Sequence, residues 1–301
     1  MNTLNDYALM VNRRLEEIPA VIDEGRYEIG EMPWLLSQSM RYSLSAGGKR
    51  LRPCMLLAAV EMLGGSVDEA LDFACAVEMI HTYSLIHDDL PGMDDDTLRR
   101  GRPTNHVVFG QGQAILAGDG LLNCAFETML ARACQRPEGA ARYLAAIREI
   151  ATGAGVTGMI GGQVMDLRCE RSREGGEEAL EYIQYGKTAC MFIYPLRAAA
   201  RLCAASQEDL AALTAYGRAF GLLFQATDDL LDVTGDVADM GKTLGKDEAS
   251  GKLTCVSVYG VEGTRRRVDA LHREAISAIE RFGARGLFFS QLVDAMVERT
   301  K

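Results

Sequence analysis

Proline is scarce in this chain, with seven in 301 residues, as are histidine, at four, and tryptophan, at one. So little proline leaves long stretches able to run as unbroken helix, because proline removes a backbone donor and kinks or ends the helix it enters. Positive charge is also in deficit: 32 Lys and Arg stand against 42 Asp and Glu, a formal −10 with a pI near 5.0. That balance argues against a nucleic-acid face or a polybasic membrane patch, so the basic residues that matter act locally. Among the eight cysteines there is no Cys-x-x-Cys pair, and their neighbours are mostly apolar or small. This argues against a zinc framework or a disulfide-stapled fold and is expected of reduced thiols in a cytoplasmic protein. The first residues, Met1 to Asp6, show no basic leader followed by an apolar stretch, so no secretory signal is expected. No uncharged apolar run reaches membrane-spanning length, and the most hydrophobic stretch, Thr188 to Ala205, carries Arg197 and Arg201.

What is present is an ordinary globular composition, 48% hydrophobic and 25% charged, long enough for a large core. Nearly every segment repeats at the helical period, with Ala, Leu, Met, Glu and Arg in place of alternating Val, Ile and Thr. The chain is therefore expected to be all-α. Breaks fall at Gly64-Gly65-Ser66, at 136–139, at 170–178 and at 235–251. Ser66 followed by Glu69 predicts a capping box, and Ser206 followed by Asp209 another helix start. Cys54 to Met62, Phe73 to His87 and Ala114 to Ala133 are apolar around much of their circumference, as central helices of a bundle are. No fixed-period repeat or low-complexity linker is visible, so residues 1–301 are expected to form one domain.

Two acidic clusters lie 140 positions apart: Asp88-Asp89-x-x-x-x-Asp94, continuing as Asp95-Asp96, and Asp228-Asp229-x-x-Asp232. Carboxylates this dense repel one another unless a cation sits among them. The first follows an apolar helix ended by Pro91-Gly92, so Asp88 and Asp89 fall at a helix C-terminus, where the macrodipole disfavours anions. Mg²⁺ is held by one or two carboxylates together with phosphate oxygens and water, which suits such a set; the offsets do not suit an EF-hand. A solvated acidic loop is the plain alternative. Arg99, Arg100 and Arg102 follow directly, and guanidinium forks match phosphate oxygens as well as carboxylates. Lys49 and Arg52 are three apart and would share a face on a helical turn. His81 and Asp88, seven apart, share another, as do Asp228 and Asp232 with Gln225 one turn before.

The string from His81 through Thr104 resembles the first aspartate-rich motif of bacterial trans-prenyltransferases of the polyprenyl synthetase family, most of all farnesyl diphosphate synthases with two residues inserted between the aspartates. The resemblance continues, in the family's order, in Gly47-Gly48-Lys49-Arg50-Leu51-Arg52-Pro53, Gly161-Gly162-Gln163-x-x-Asp166, Lys187-Thr188, Gln225-x-x-Asp228-Asp229-x-x-Asp232 and Gly241-Lys242-Thr243-x-Gly245-Lys246-Asp247. It implies a helical bundle of isoprenoid synthase type around a central cavity, and a homodimer. Mg²⁺ would be held at Asp88, Asp94 and Asp228, three ions in the closed complex, with Asp89 and Asp232 as secondary candidates. Lys49, Arg52, His81 and Arg100 would bind isopentenyl diphosphate, and Arg99, Lys187 and Lys242 the allylic diphosphate, with the Lys242 segment as a lid. Thr188 and Gln225 resemble the family's cation-stabilising groups.

Tyr83 lies five residues before Asp88, roughly 7 to 8 Å below it along a helix. A ring there is expected to cap a tunnel growing away from the diphosphate. In the enzymes resembled, an aromatic residue at this place goes with farnesyl diphosphate as product. Ser84 beside it is small and would let a longer chain pass, which keeps geranylgeranyl diphosphate as the alternative. A class I terpene cyclase shares the architecture but has no use for a second diphosphate grip. A non-catalytic subunit would be expected to lack acidic residues from one motif, and both are intact here.

Overall fold

The computed structural model describes residues 2–23, 34–172, 174–234 and 251–298. They are almost wholly helical, as expected, and divide into two compact units. One holds residues 2–61 and 66–147; the other holds 62–65 and the described part of 148–298.

The first unit contains α1 (Leu4–Asp23), α2 (Trp34–Leu44), α3 (Leu51–Met62), α4 (Val67–Asp88), α5 (Asn105–Phe109), α6 (Gln111–Gln135) and the start of α7 (Ala140–Ala154). Helix α4 is its centre and packs on α6 and α1. Every residue from Phe73 to Ile80 is buried, the outcome of an apolar surface on all sides. The charges inside it are paired. Asp72 accepts from Arg14 Nε and Arg132 Nε, each at 2.8 Å, and Glu78 pairs with Arg50 at 2.5 Å. Ser66 caps α4 by accepting from Glu69 N–H at 3.3 Å, but the expected reciprocal bond is replaced. The Glu69 carboxylate instead accepts from Arg142 and Tyr143, at 3.5 and 3.4 Å. Helix α6 is long and apolar enough to pass for a membrane span, yet it carries Asp119, Glu127 and Arg132 and packs on α4 as core helices do.

A hairpin interrupts the helical pattern unannounced. Leu98–Arg99 (β1) pairs antiparallel with Arg102–Pro103 (β2), joined by Arg100 and Gly101 at φ 52° and 74°. Positive φ at both central residues is the type I′ arrangement, whose twist matches that of the strands.

The second unit contains α8 (Met159–Ser172), α9 (Glu177–Ile183), a π-helical turn (Gln184–Ala189), α10 (Cys190–Leu202), α11 (Gln207–Thr234), α12 (Cys255–Ile279) and α13 (Leu287–Glu298). Helix α11 packs between α10 and α12, and Asp209 N–H donates to Ser206 at 3.1 Å at the predicted helix start. Tyr216 stacks on Phe220, Phe192 and Phe289 meet these two rings edge-on, and the Tyr216 hydroxyl donates to the Phe289 carbonyl at 2.9 Å.

Candidate active site

Helix α4 ends at Asp88, and the loop after it folds straight back: Asp94 N–H donates to the Asp88 carbonyl at 2.8 Å. The Asp88 and Asp94 side chains, both half-buried, thus leave the same helix end. Asp89 is different. It is 3% exposed, and its two oxygens accept from Arg99 Nε at 2.8 and 3.0 Å and from Nη2 at 2.6 Å. With both oxygens engaged by the guanidinium, this carboxylate supports Arg99. Asp88 and Asp94 fit Mg²⁺ in one particular way. Among the described residues no group of three or more His, Cys, Asp or Glu would enclose an ion; the two carboxylates would hold Mg²⁺ with phosphate oxygens and water completing its shell, the usual way this ion is held.

The basic residues assemble differently from the expectation. Helix α3 begins only at Leu51, and Arg50 has φ 51°, so Lys49 stands in the preceding loop and shares no helical face with Arg52. Arg50, buried at 5% exposure, turns inward to Glu78, to Asn12 Oδ1 at 2.9 Å and to the Leu44 carbonyl. Its neighbours turn elsewhere: Lys49 is exposed, and Arg52 Nη1 reaches within 3.5 Å of His81 Nε2. Arg100 donates to the Gly47 carbonyl and lies on Gly48, where a Cβ would come within 2.7 Å of its guanidinium carbon. Arg52, His81 and Arg100 are therefore gathered on one surface next to the Lys49 loop. Burial, and then the charges of Arg52 and Arg100, push the His81 imidazole well below its ordinary range, so it is neutral at physiological pH.

Tyr83 and Ser84 point differently although adjacent. Five residues of helix place Tyr83 roughly 140° around the axis from Asp88. Its ring lies edge-on to His87 with centroids 5.7 Å apart. It is 6% exposed, and its hydroxyl is buried with no hydrogen-bond partner among the described residues. Burial, aided by the Asp88 charge, pushes this phenol up to about 12. Ser84 lies one turn before Asp88 on nearly the same face, half-buried, and donates to the His81 carbonyl at 2.9 Å.

In the second unit, Gln225, Asp228, Asp229 and Asp232 occupy the last turns of α11. Asp228 is half-buried; Asp229 is 3% exposed and fully engaged. It accepts from Gln225 Nε2 at 2.9 Å, from Cys255 N–H at 2.7 Å and from Gln184 Nε2 at 3.4 Å. Gln225 therefore joins Asp229, not the Asp228 and Asp232 pair expected from spacing. The Thr188 hydroxyl donates to Gln225 Oε1 at 2.9 Å, and Lys187 Nζ donates to Asp166 at 2.5 Å. Both Lys187 and Thr188 sit in the π turn, an irregularity common at functional sites. Helix α8 meets that turn with no space to spare: a Cβ on Gly162 would lie 2.1 Å from the Lys187 backbone nitrogen. Lys242 lies outside the described residues.

The model of the polyprenyl synthetase family matches residues 33–282. This chain belongs to that family. The polyprenyl synthetase is 43% identical over 278 residues to geranylgeranyl pyrophosphate synthase 9 of Arabidopsis thaliana, covering 91% of this chain and 76% of the plant protein. Its structure is similar to that of a geranyltransferase from Legionella pneumophila, at 28% identity and TM-score 0.84 over 99% of this chain and 96% of the other. It also resembles an FPP/GFPP synthase from Zymomonas mobilis, at 33% identity and TM-score 0.79 over 96% and 99%. The synthetase has the all-α fold of these neighbours and is a prenyltransferase.

Four supports of the site escaped the reading of the sequence. Glu78 left a trace, a lone acid inside an apolar helix, which implies a buried cation. Asp166 stood in a quoted motif without a role. Arg50 looked like one more basic residue of a basic run, and Gln184 carried no signal.

Proposed function

We propose that this polyprenyl synthetase condenses isopentenyl diphosphate with allylic diphosphates to make a short-chain trans-prenyl diphosphate, as one polyprenyl synthetase domain and as a homodimer. One observation carries the reading. Besides Arg99, committed to the first acidic loop, and Lys187, committed to Asp166, a further set exists beside Lys49: the cations Arg52 and Arg100 with the neutral imidazole of His81. Two diphosphate substrates need two such sets; a cyclase, with one, does not.

In this reading Lys49, Arg52 and Arg100 grip isopentenyl diphosphate, and neutral His81 contributes a hydrogen bond without adding to their mutual repulsion. Arg99 and Lys187, with Lys242, meet the charge that gathers on the allylic diphosphate as its C–O bond breaks, where preorganised cations act most strongly. Asp88 and Asp94, and Asp228, would hold Mg²⁺, which would supply further neutralisation of that charge. The oxygens of Thr188 and Gln225 face the allylic cation until the isopentenyl double bond attacks it, and exclusion of water prevents its capture as an alcohol. Loss of a proton, to the released diphosphate, completes the new double bond. None of the eight cysteines, all among the described residues, forms a disulfide, which suits a reducing compartment such as the cytoplasm.

For the product we favour geranylgeranyl diphosphate. The plant relative bears that name, and small Ser84, not Tyr83, lies on nearly the same helix face as Asp88. Farnesyl diphosphate is the second reading, supported by the buried ring of Tyr83, whose bulk would stop the chain earlier if the tunnel passes it. Purified protein with Mg²⁺, labelled isopentenyl diphosphate and each allylic starter decides, with chain lengths read by chromatography of the dephosphorylated products. Twenty-carbon product is expected. Accumulation of fifteen-carbon product that lengthens in Tyr83→Ala would establish the second reading. Release of diphosphate from an allylic substrate without any isopentenyl diphosphate, giving a cyclic hydrocarbon, would overturn both.

A further inference from the structure

We propose that Asp229 is a positioning residue that locks the amide of Gln225 with its oxygen toward Thr188, so that the pair presents oxygen, and not N–H, to the developing allylic cation. The inference rests on the condensation reading above.

A carboxylate can only accept hydrogen bonds. The end of the Gln225 side chain that lies 2.9 Å from Asp229 Oδ1 must therefore be the NH2 group. The other end is the oxygen, and Thr188 donates to it at 2.9 Å. Asp229 cannot yield, because its second oxygen is held by Cys255 N–H in the first turn of α12, at 2.7 Å, and by Gln184 at 3.4 Å. The positive end of a helix dipole favours an anion there. One buried carboxylate thus ties α11, α12 and the π turn together, and the polarity of Gln225 follows from it. A flipped amide would turn partial positive charge toward a cation. Preorganised dipoles of this kind are worth about 10²- to 10³-fold in rate.

Asp229→Asn keeps size and shape. Its carbonyl can still accept from Cys255 N–H, but its NH2 then faces Gln225, which must flip to present oxygen. We expect kcat to fall about 10²-fold with KM for both diphosphates within about threefold. More prenyl alcohol should form as water captures the cation: the bond to diphosphate breaks, a bond to water oxygen forms, and the proton leaves to the released diphosphate. If Asp229 acts through Gln225, Asp229→Asn should cost little further in a Gln225→Leu background. Full loss in that background, or a raised KM with kcat kept, would overturn the inference. A second measurement needs no turnover. In protein labelled with ¹⁵N-glutamine, the side-chain resonance of Gln225, identified by its loss in Gln225→Leu, should show slowed exchange that Asp229→Asn abolishes; an unchanged resonance would also overturn the inference. A wild type that makes no longer prenyl diphosphate would sink the condensation reading and the cation role with it. The amide spectra distinguish that failure from absence of the hydrogen bond.

Discussion

Replacing Gly162 by alanine tests how closely the site depends on the contact between α8 and the π turn. Two effects oppose each other. Alanine favours a helix interior over glycine by about 1 kcal/mol, which would stabilise α8. Against this, the new Cβ would lie 2.1 Å from Lys187 N, 2.7 Å from Gly186 C and 2.8 Å from Lys187 Cα. All three are backbone atoms that no side-chain rotation removes. Restoring ordinary contact requires α8 and the turn to part by roughly 1.3 Å, and overpacking a dense core costs about 1–3 kcal/mol. The clash prevails. The displaced turn carries Lys187 and Thr188, and a misplacement of about 1 Å can cost about 10²-fold in rate. Gly162→Ala should therefore melt below wild type and lose about two orders of magnitude in kcat. Gly112→Ala is the control: nothing lies within 4 Å of its added Cβ, so it should keep full activity and gain at most about 1 kcal/mol. Wild-type melting and turnover in Gly162→Ala would refute the reasoning.

Glu78→Ala leaves the buried Arg50 guanidinium without its carboxylate and should destabilise by about 3–5 kcal/mol in urea unfolding, with a weakened grip on isopentenyl diphosphate. Asp89→Asn should raise KM for the allylic diphosphate about tenfold or more as the charge-assisted support of Arg99 weakens, while KM for isopentenyl diphosphate stays near wild type. His81 has a folded pKa depressed below 6.5, so below that value the unfolded chain binds a proton that the native one refuses. Its contribution to stability is whole above about pH 6.5 and is lost as pH falls toward the folded value; unfolding free energies at pH 5.5 and 7.5 should differ less in His81→Gln than in wild type.

The helical class and most boundaries were legible because they are local properties. The ends of α3, α6 and α8 follow from glycine, proline and charge at their termini, and Asp88 at the end of α4 from the breaker pair behind it. Pairings over long sequence distances were not legible. Spacing put Lys49 and Arg52 on one helical turn, but Arg50, paired in the interior with Glu78, has a left-handed backbone and the helix begins only at Leu51. Spacing likewise gave Gln225 to Asp228 and Asp232, whereas its amide follows the buried acceptor Asp229. The division of labour within each Asp-Asp pair depends on which member faces inward. Arg99 settles that for Asp89, and Cys255 N–H with the two glutamine amides for Asp229. Two residues per strand lie below the length at which alternation can be recognised, so the hairpin at 98–103 was hidden.

The ties that α4 and α11 make beyond the family-matched stretch of 33–282 limit how far this enzyme can be shortened. Arg14 and Asn12 lie upstream of that stretch and Phe289 lies downstream, yet Arg14 shares Asp72 with Arg132, Asn12 accepts from Arg50, and the Phe289 carbonyl accepts the hydrogen bond of a wholly enclosed tyrosine, Tyr216. An enzyme cut back to its recognisable homology would keep every residue assigned to chemistry, yet Asp72 and Arg50 would each lose one of their buried partners and the Tyr216 hydroxyl would lose its acceptor. For expression or redesign, the ends of the chain belong to the catalyst's foundation and are poor places to economise.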